Sequence, residues 1–389
     1  MICALLLLAT ALRSAQGAPP RVVPCPARDC LVPDVAVDSG GAVHLVYGTT
    51  RKQAFYQRSL DDGATWSAPL RLNDAHNVTT TMGERGPKLS VPSPATVYVV
   101  WLDLWFSGAQ TFARMVRSTD GGATFTAPVA ISEHWGIDGI TLAASAQGGV
   151  LLAYHWGNAT YPQPPNSTEA TWLFTRASAD GGASWGATAL APLRGVAPVA
   201  CSMCAMRARS VGGDDFQLAF RSAVNNVREH WIVNASLAEG AGWPAARAGG
   251  SWPYPACPMN GPELEEAAAG ARAGGPFSAV VAFMSGDANN VFWSGWDPAA
   301  GAFLPPVGTP GGQGSNERYP TALQSGGEVL MVWNVGPMAV EGTAEVKWAL
   351  YFANGTDLAR GSLGTSFAGT KATAWVDGGG GFNVMTTAK

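Results

Sequence analysis

The segment Ser59-Leu60-Asp61-Asp62-Gly63-Ala64-Thr65-Trp66 decides the fold, because the chain repeats it at a nearly constant interval. Close copies run from Ser118 to Phe125 and from Ser178 to Trp185, and a degraded copy runs from Ser236 to Trp243. The four starting serines are 59, 60 and 58 residues apart. Continuing at this interval reaches Asp297 with Phe303, and then Phe352 with Asn354. Six units of about 59 residues therefore fill the chain.

The chemistry of the repeat predicts a tight turn. An Asp side chain accepts backbone N–H bonds in such a turn, Gly supplies a positive φ, and Ser or Thr closes a local hydrogen bond. We expect the aromatic residue to pack beneath the hairpin. Asp61, Asp120 and Asp180 are therefore predicted to be structural rather than catalytic.

Two strand-like runs precede the motifs, such as Val35–Val37 and Val43–Tyr47, and Gly-rich turns join several of these pairs. Each unit is therefore predicted to be a four-stranded antiparallel meander. Six such units predict an all-β fold, a six-bladed β-propeller with one domain over residues 18–389. The tail from Ala372 to Thr387 reads as a further hairpin, which either completes the ring or forms a seventh, partial blade.

The composition agrees with many strands and excludes several classes of protein. Charged residues make up 13% of the chain, about half the usual share of roughly 25%. A hydrophobic content of 47% excludes a disordered chain. The net charge of −4 predicts no nucleic-acid partner, which usually requires a basic face.

Residues 1–17 read as a secretory signal peptide. Ala4 to Leu12 forms an apolar core, and Ala15-Gln16-Gly17 precedes the expected cleavage site. A membrane helix needs about 20 apolar residues, so we expect a secreted protein without a membrane span. Five N-x-S/T sequons agree with a secreted glycoprotein: Asn77, Asn158, Asn166, Asn234 and Asn354.

Five cysteines remain after cleavage, which predicts disulfides and one unpaired thiol. Cys25 and Cys30 are candidates for a small disulfide loop, and Cys204 and Cys257 are the other candidates for pairing. Cys201-x-x-Cys204 is half of a zinc motif without a matching second half. We therefore expect no metal and no cofactor, with a redox or metal role for these cysteines kept as an alternative.

The repeated S-x-D-x-G-x-T-W resembles the Asp-box of sialidases and of the wider sialidase-like (BNR-repeat) β-propeller superfamily. The resemblance covers nearly the whole chain after the signal peptide. It is closer to a secreted sialidase-like group with C-x-x-C and A-C-P-M motifs, found here at Cys201–Cys204 and Ala256–Met259.

The resemblance implies three arginines around a sugar carboxylate, a Tyr–Glu nucleophile and an Asp acid/base. Arginine suits this role because its planar fork meets a carboxylate with paired hydrogen bonds. Leu31 stands where sialidases open their first blade with an arginine, which argues against ordinary sialidase activity. The remaining assignments that we infer are Arg221 and Arg318 as clamps, Asp138 or Glu84 as acid/base, and Tyr319 as nucleophile.

Propeller geometry places residues that precede the innermost strands at one mouth of the central channel. Polar residues recur there, and we expect a polar funnel suited to a carbohydrate. The predicted substrate-binding residues are Arg85, Arg207, Arg228, Asn260 and Glu317, with Asp34 and Cys204 at equivalent positions. The loop tryptophans Trp105, Trp135 and Trp252 are candidates for stacking on a sugar face.

Two functional hypotheses follow. The first is a glycoside hydrolase acting on terminal acidic sugars, of the sialic-acid type, in glycoconjugates. The second is a non-catalytic propeller that binds glycans or proteins through the same mouth. A structural interpretation also stands, in which Arg221 and Arg228 are strand-flanking charges paired with Asp214 or Glu229.

Overall fold

The computed structural model describes residues 17–74, 78, 85–103, 111–238, 242–264, 275–286, 290–310, 316–336, 343–367 and 370–387. Apart from one short 3-10 turn at Val224–Asn226, every regular element in these ranges is a β-strand. None of the helical structure described could cross a lipid bilayer. Residues 1–16 of the predicted signal peptide lie outside the described residues, as do the candidates Asn77, Glu84 and Trp105.

The chain begins with β1 (Arg21–Pro24) and then builds six antiparallel meanders, which we call sheets 1 to 6. Sheet 1 comprises β2 (Leu31–Val37), β3 (Val43–Gly48), β4 (Ala54–Ser59) and β5 (Leu70–Arg71). Sheet 2 comprises β6 (Lys88–Ser93), β7 (Thr96–Leu102), β8 (Ala113–Ser118) and β9 (Val129–Ala130). Sheet 3 comprises β10 (Asp138–Ala144), β11 (Val150–Trp156), β12 (Ala170–Ser178) and β13 (Ala189–Leu190).

Two short strands, β14 (Leu193–Arg194) and β15 (Val199–Cys201), lead into sheet 4. Sheet 4 comprises β16 (Arg207–Gly212), β17 (Asp215–Ser222), β18 (Val227–Ser236) and β19 (Trp243–Pro253). Sheet 5 comprises β20 (Glu263–Leu264), β21 (Ala279–Ser285), β22 (Asn290–Asp297), β23 (Ala302–Phe303) and β24 (Val307–Gly308). Sheet 6 comprises β25 (Glu317–Ser325), β26 (Glu328–Val335), β27 (Thr343–Phe352) and β28 (Asp357–Phe367), and the last strands are β29 (Thr373–Val376) and β30 (Phe382–Thr386).

The two ends of the chain share a seventh sheet. β30 pairs with β29 in the antiparallel sense and with β1 in the parallel sense, so that Arg21 lies opposite Asn383. β29 contacts both β2 of sheet 1 and β25 of sheet 6. The predicted count of six blades is therefore not confirmed, because the tail forms a three-stranded sheet of its own between the first and sixth meanders.

Apolar residues cover both faces of each sheet and join neighbours into a ring. In β11, Leu151 and Ala153 pack toward sheet 4, whereas Val150, Leu152 and Tyr154 pack toward sheet 2. This alternation is the period of two expected for a strand buried on both sides. Seven such clusters link consecutive sheets, and the last of them joins the terminal sheet to sheet 1. Each large side chain buried in them stabilises the ring by about 1.5–3 kcal/mol.

Sheets 3 and 4 are also joined through their backbones. β15 pairs with β12 at Ala170–Cys201 and with β17 at Ala200–Ser222, so the two sheets form one ten-stranded sheet. This link strand ends at Cys201, and it places the following loop against the innermost strand β16.

The repeated motif has the same hydrogen bonds in its three best copies. In the first copy, Ser59 Oγ donates to Asp61 Oδ1 at 2.7 Å, and Thr65 donates through its backbone N at 2.8 Å and its Oγ1 at 2.6 Å. The hydrogen bonds from Thr65 have the largest effect, followed by the bond from Ser59, and together they lower the pKa of Asp61 to about 2. Asp120 and Asp180 repeat the arrangement, also with a pKa of about 2. Their carboxylates are therefore committed to the turn.

The motif also contacts the preceding sheet, which the sequence did not indicate. Gly121 O accepts a hydrogen bond from Arg58 Nη1 of sheet 1 at 2.7 Å. Gly181 O in the third copy likewise accepts from Tyr98 Oη of sheet 2 at 3.1 Å. The next glycine of the second copy, Gly122, has a φ of +85°, and a Cβ there would lie 2.0 Å from Tyr56 Oη. The turn thus needs glycine both for its conformation and for its contact with sheet 1.

Gly122→Ala should destabilise the protein more than Gly213→Ala. Gly213 also has a positive φ, +58°, but a Cβ there would meet nothing within 4 Å. The control should therefore show only the backbone cost of roughly 1–2 kcal/mol, whereas Gly122→Ala adds an overpacking cost of about 1–3 kcal/mol. Denaturant unfolding of both variants measures the difference, and equal losses would contradict the proposed contact between sheets 1 and 2.

Candidate active site

Polar and charged residues stand at the start of the innermost strands. Lys88, Asp138, Arg207, Glu263 and Glu317 are the first residues of β6, β10, β16, β20 and β25. The innermost strands contact one another around the ring. Because consecutive meanders start at the same side of a propeller, their first residues gather at one mouth.

Four buried charges and the partly buried Glu263 meet there, and we call them the central charge cluster: Asp34, Lys88, Arg207, Glu263 and Lys371. Arg207 Nη1 lies 2.8 Å and 2.7 Å from the two carboxylate oxygens of Asp34. Lys371 Nζ lies 2.6 Å from Glu263 Oε2, and Arg207 Nε lies 3.5 Å from Glu263 Oε1. Leu89 N also donates to Asp34 Oδ2 at 2.8 Å.

The cluster keeps both of its acids ionised. Burial alone would raise the pKa of Asp34, but the charges of Arg207, Lys88 and Lys371 outweigh it, so the pKa is lowered. Burial would likewise raise the pKa of Glu263, but the charges of Lys371 and Arg207 outweigh it, so this pKa is also lowered. Neither acid is therefore suited to donate a proton at neutral pH.

Lys88 is the unmatched member of the cluster. Its side chain is buried, and burial followed by repulsion from Lys371 lowers its pKa. Among the residues that the structure describes, no carboxylate forms an ion pair with it. Three cations thus face two carboxylates, and this imbalance favours an anion at the mouth.

A cavity of about 520 Å³ opens at the start of β10, and we call it the mouth cavity. Its wall includes Asp138, Tyr161, Gln163, Glu169 and Ser202. The volume lies within the range of about 300–1,000 Å³ typical of ligand sites. The channel between the innermost strands holds only about 70 Å³, so a sugar ring would fit the mouth cavity and not the channel.

Asp138 is a carboxyl group in this cavity whose pKa is raised above its usual value. Its carboxylate pairs with Arg85 and accepts a hydrogen bond from Gly139 N at 2.7 Å. Burial nevertheless dominates and raises the pKa of Asp138 above its usual value, despite the opposing effect of Arg85. A raised pKa favours the protonated form of the carboxyl group, which is the form that a general acid needs.

Glu169 is a second carboxylate in the same cavity, and no motif in the sequence points to it. Its Oε2 accepts a hydrogen bond from Ser202 Oγ at 3.2 Å, and its backbone O accepts one from Ser202 N at 3.0 Å. Its φ is +50°, a left-handed conformation that is unusual for Glu. Trp135 is 59% exposed and precedes Gly136 in the cavity wall, so its ring is open to a ligand.

Arg221 lies away from the mouth cavity. Its side chain is 1% exposed and lies over the ring of Trp252, with Arg221 Cζ 5.1 Å from the ring centroid. It donates to His230 Nε2 through Nε at 3.0 Å and to Met284 O through Nη2 at 3.0 Å. Because His230 accepts at Nε2, its proton belongs on Nδ1, 3.3 Å from Gly249 O. Burial, followed by the charge of Arg221, holds the pKa of His230 well below its usual value.

Arg228 lies directly behind the mouth cavity. Its Nη2 donates to Thr168 O at 2.7 Å, and Thr168 is part of the cavity wall. The side chain is fully buried, and its Nε and Nη1 have no hydrogen-bond partner in the structure. In the described part of the chain, neither Asp214 nor Glu229 pairs with Arg221 or Arg228, and Glu229 instead pairs with Arg247 at 2.9 Å.

The remaining predicted residues, Glu317, Arg318 and Tyr319, lie at the start of β25, where sheet 6 packs against sheet 5. Glu317 is buried, and its Oε2 accepts from Thr309 Oγ1 and from Val291 N. Tyr319 is 1% exposed with a φ of +52°, and its N donates to Asn260 Oδ1 at 3.3 Å. Arg318 is half-buried beside it, at an irregularity in the register of β25 with β26. The structure therefore encloses the ring of Tyr319 in the core.

The cysteines and sequons are placed as follows. Cys25 and Cys30 form a disulfide, whereas Cys204 and Cys257 are not bonded to each other and, with Cys201, are free and buried. Asn158, Asn166, Asn234 and Asn354 are all exposed, and their glycosylation stays a prediction.

Asp34→Asn should cost about 3–5 kcal/mol, because it removes the closer of the two carboxylates that pair with the buried Arg207 charge. The folded-state pKa of Asp34 lies below the usual 3.8, so its contribution is present above that pH and is lost as the pH falls through the folded value. Unfolding free energies between about pH 3 and 7 should therefore depend less on pH in the variant. Asp357→Asn is the control, since Asp357 pairs with Arg360 on the surface. A similar small loss in both variants would contradict the central ion pair.

Comparison with known proteins places the chain by its fold. No protein-family model matches it, and no curated protein matches its sequence. It is similar to the solved structure of a Hadza microbial sialidase, with a TM-score of 0.50 and 12% identity over 78% of this chain and 63% of that one. It is also similar to the GH93 α-L-arabinofuranosidase of Fusarium graminearum, with a TM-score of 0.51 and 11% identity over 86% of this chain and 98% of that one. The chain thus has the β-propeller fold of these glycosidases, and it spans less than two thirds of the sialidase.

Proposed function

We propose that the protein is a glycoside hydrolase that removes terminal acidic sugars, of the sialic-acid type, from glycoconjugates. The mouth cavity is the proposed active site, and Asp138 is the observation that carries the proposal. It begins an innermost strand, lines a cavity of sugar size, and has a pKa raised by burial. The fold likeness to a sialidase and an arabinofuranosidase supports the reaction class.

Unmatched positive charge supports the preference for an acidic sugar. Arg228 lies behind Thr168 of the cavity wall with two unpaired N–H groups, and Lys88 lies in the central charge cluster without an ion pair among the described residues. A buried cation is costly without a counter-charge. A ligand carboxylate would supply one, and Arg228 and Lys88 would then replace the arginine that sialidases carry where this chain has Leu31.

The proposed reaction divides the proton transfers between the two carboxyl groups of the cavity. Protonated Asp138 donates its proton to the glycosidic oxygen while the bond to the anomeric carbon breaks. Glu169 accepts a proton from a water molecule, whose oxygen bonds to that carbon. This assignment follows the acid-and-base division common among glycosidases. The exposed ring of Trp135 offers a surface for the apolar face of the sugar.

Asp138→Asn should lower kcat on the preferred substrate by about 10²–10⁴-fold, because the amide cannot donate a proton to the leaving oxygen. Wild-type kcat should fall as the pH rises through the raised pKa of Asp138, and this limb should vanish in the variant. The assay uses a fluorogenic α-sialoside beside uronosides and a neutral α-L-arabinofuranoside.

Asp215→Asn is the matched control, since it makes the same change at an exposed residue, the first of β17, which does not line the mouth cavity. It should retain wild-type activity. Turnover that is unchanged in Asp138→Asn would overturn the role of this residue, and faster turnover of the neutral sugar would overturn the acidic preference.

A second candidate is a propeller that binds glycans without cleaving them. The pairing of Asp138 with Arg85 favours it, because an arginine stabilises the ionised carboxylate, which has no proton to donate. In this case the wild type should bind acidic glycans on an array without turnover, and Trp135→Ala should reduce binding. The disulfide and the exposed sequons support an extracellular location for either function.

A further inference from the structure

Three buried cysteines from two separate loops meet beside the mouth cavity. Cys201 ends β15, Cys204 follows three residues later, and Cys257 lies in the loop between β19 and β20. The sulfur atoms form a nearly equilateral triangle, with Sγ–Sγ distances of 3.3 Å for Cys201–Cys204, 3.4 Å for Cys201–Cys257 and 3.5 Å for Cys204–Cys257. At 0%, 1% and 9% exposure, all three are shielded from solvent.

The two loops have the same local construction. In Cys201-Ser202-Met203-Cys204 the third residue has a φ of +61°, and in Cys257-Pro258-Met259-Asn260 it has a φ of +48°. A left-handed residue at this position turns the chain sharply, so that the first and fourth residues face the same side. Asn260 therefore occupies in the second loop the position that Cys204 occupies in the first.

Hydrogen-bond donors lie against two of the sulfur atoms. Arg221 Nη1 lies 3.5 Å from Cys204 Sγ, and Met259 N donates to Cys257 Sγ at 3.4 Å. Asn260 is fully buried, and its Nδ2 has no hydrogen-bond partner in the structure. Donors that point at sulfur are the usual second shell of a metal–thiolate centre.

We propose that Cys201, Cys204 and Cys257 bind one Zn²⁺ ion, with a water molecule at the fourth position. Zinc–sulfur bonds of about 2.3 Å in a tetrahedral site place sulfur atoms about 3.8 Å apart, so each pair would separate by only a few tenths of an ångström. Three thiolates, one Zn²⁺ and the Arg221 guanidinium sum to zero charge. The ion thus neutralises a site that would otherwise hold excess negative charge in the core.

The proposed ion has a structural task. It would tie the link strand β15, which joins sheets 3 and 4, to the loop that enters sheet 5. Ser202 and Met203, between two of the ligands, are part of the wall of the mouth cavity. The site would therefore hold one side of that cavity in place, whatever ligand the cavity binds.

Metal analysis of the secreted protein, purified without chelators, tests the proposal. Wild type should carry about one zinc per chain, whereas Cys204→Ser and Cys257→Ser should carry little. The double variant Cys25→Ser/Cys30→Ser is the matched control, because it removes two cysteines elsewhere and should keep its zinc. Wild type without zinc, or with copper in its place, would overturn the assignment.

Cobalt exchange keeps the test decisive if the serine variants do not fold. Chelator-treated wild type should take up Co²⁺ with a thiolate-to-cobalt charge-transfer band, and should unfold at a lower temperature without metal. A disulfide between two of the three cysteines is the competing state. Denatured wild type that shows one free thiol instead of three, with no cobalt band, would overturn the site.

Discussion

The packing of each sheet against two neighbours is the constraint on which the structure depends. A meander of this chain is apolar on both faces, so it is stable only when a sheet covers each side. Sheets 1 to 6 cover one another in sequence, but the outer faces of the first and last remain. The terminal sheet covers both, and the pairing of β1 with β30 joins the two ends of the chain. Closure of the ring therefore requires segments that are 362 residues apart in the sequence.

Ring closure brings five charged side chains together at one place. Seven apolar interfaces leave little room for charge between the sheets. The innermost strands start together at one mouth, where five ionisable side chains are packed closely enough to shift the pKa of Asp34, Lys88 and Glu263. Such a cluster both holds the strands together through ion pairs and creates an electrostatic field at the mouth. Asp34, Arg207 and Glu263 of the cluster line the channel between the innermost strands, whereas the mouth cavity opens at Asp138.

The proposed active site and the proposed zinc site share one wall. Ser202 lies between two of the cysteines and donates a hydrogen bond to Glu169, a proposed catalytic group. Gly139, which follows Asp138, lies so close to Cys204 O that a Cβ would be 2.7 Å from it. The cysteine loop therefore contacts the neighbourhood of both acids, and its rigidity would bear on their geometry.

The sequence by itself determined the repeat, the strand order within each unit and the structural role of Asp61, Asp120 and Asp180, because these depend on local turns and on a period of two. It also indicated that polar residues would begin the innermost strands. It could not determine the number of sheets, since the β29–β30 hairpin gains its third strand, β1, from the other end of the chain. Nor could it determine which charges meet: Lys88, Glu263 and Lys371 are far apart in the chain, and Arg221 and Tyr319 are enclosed by residues of other strands. Pairing and burial are long-range properties, and only the tertiary structure decided them.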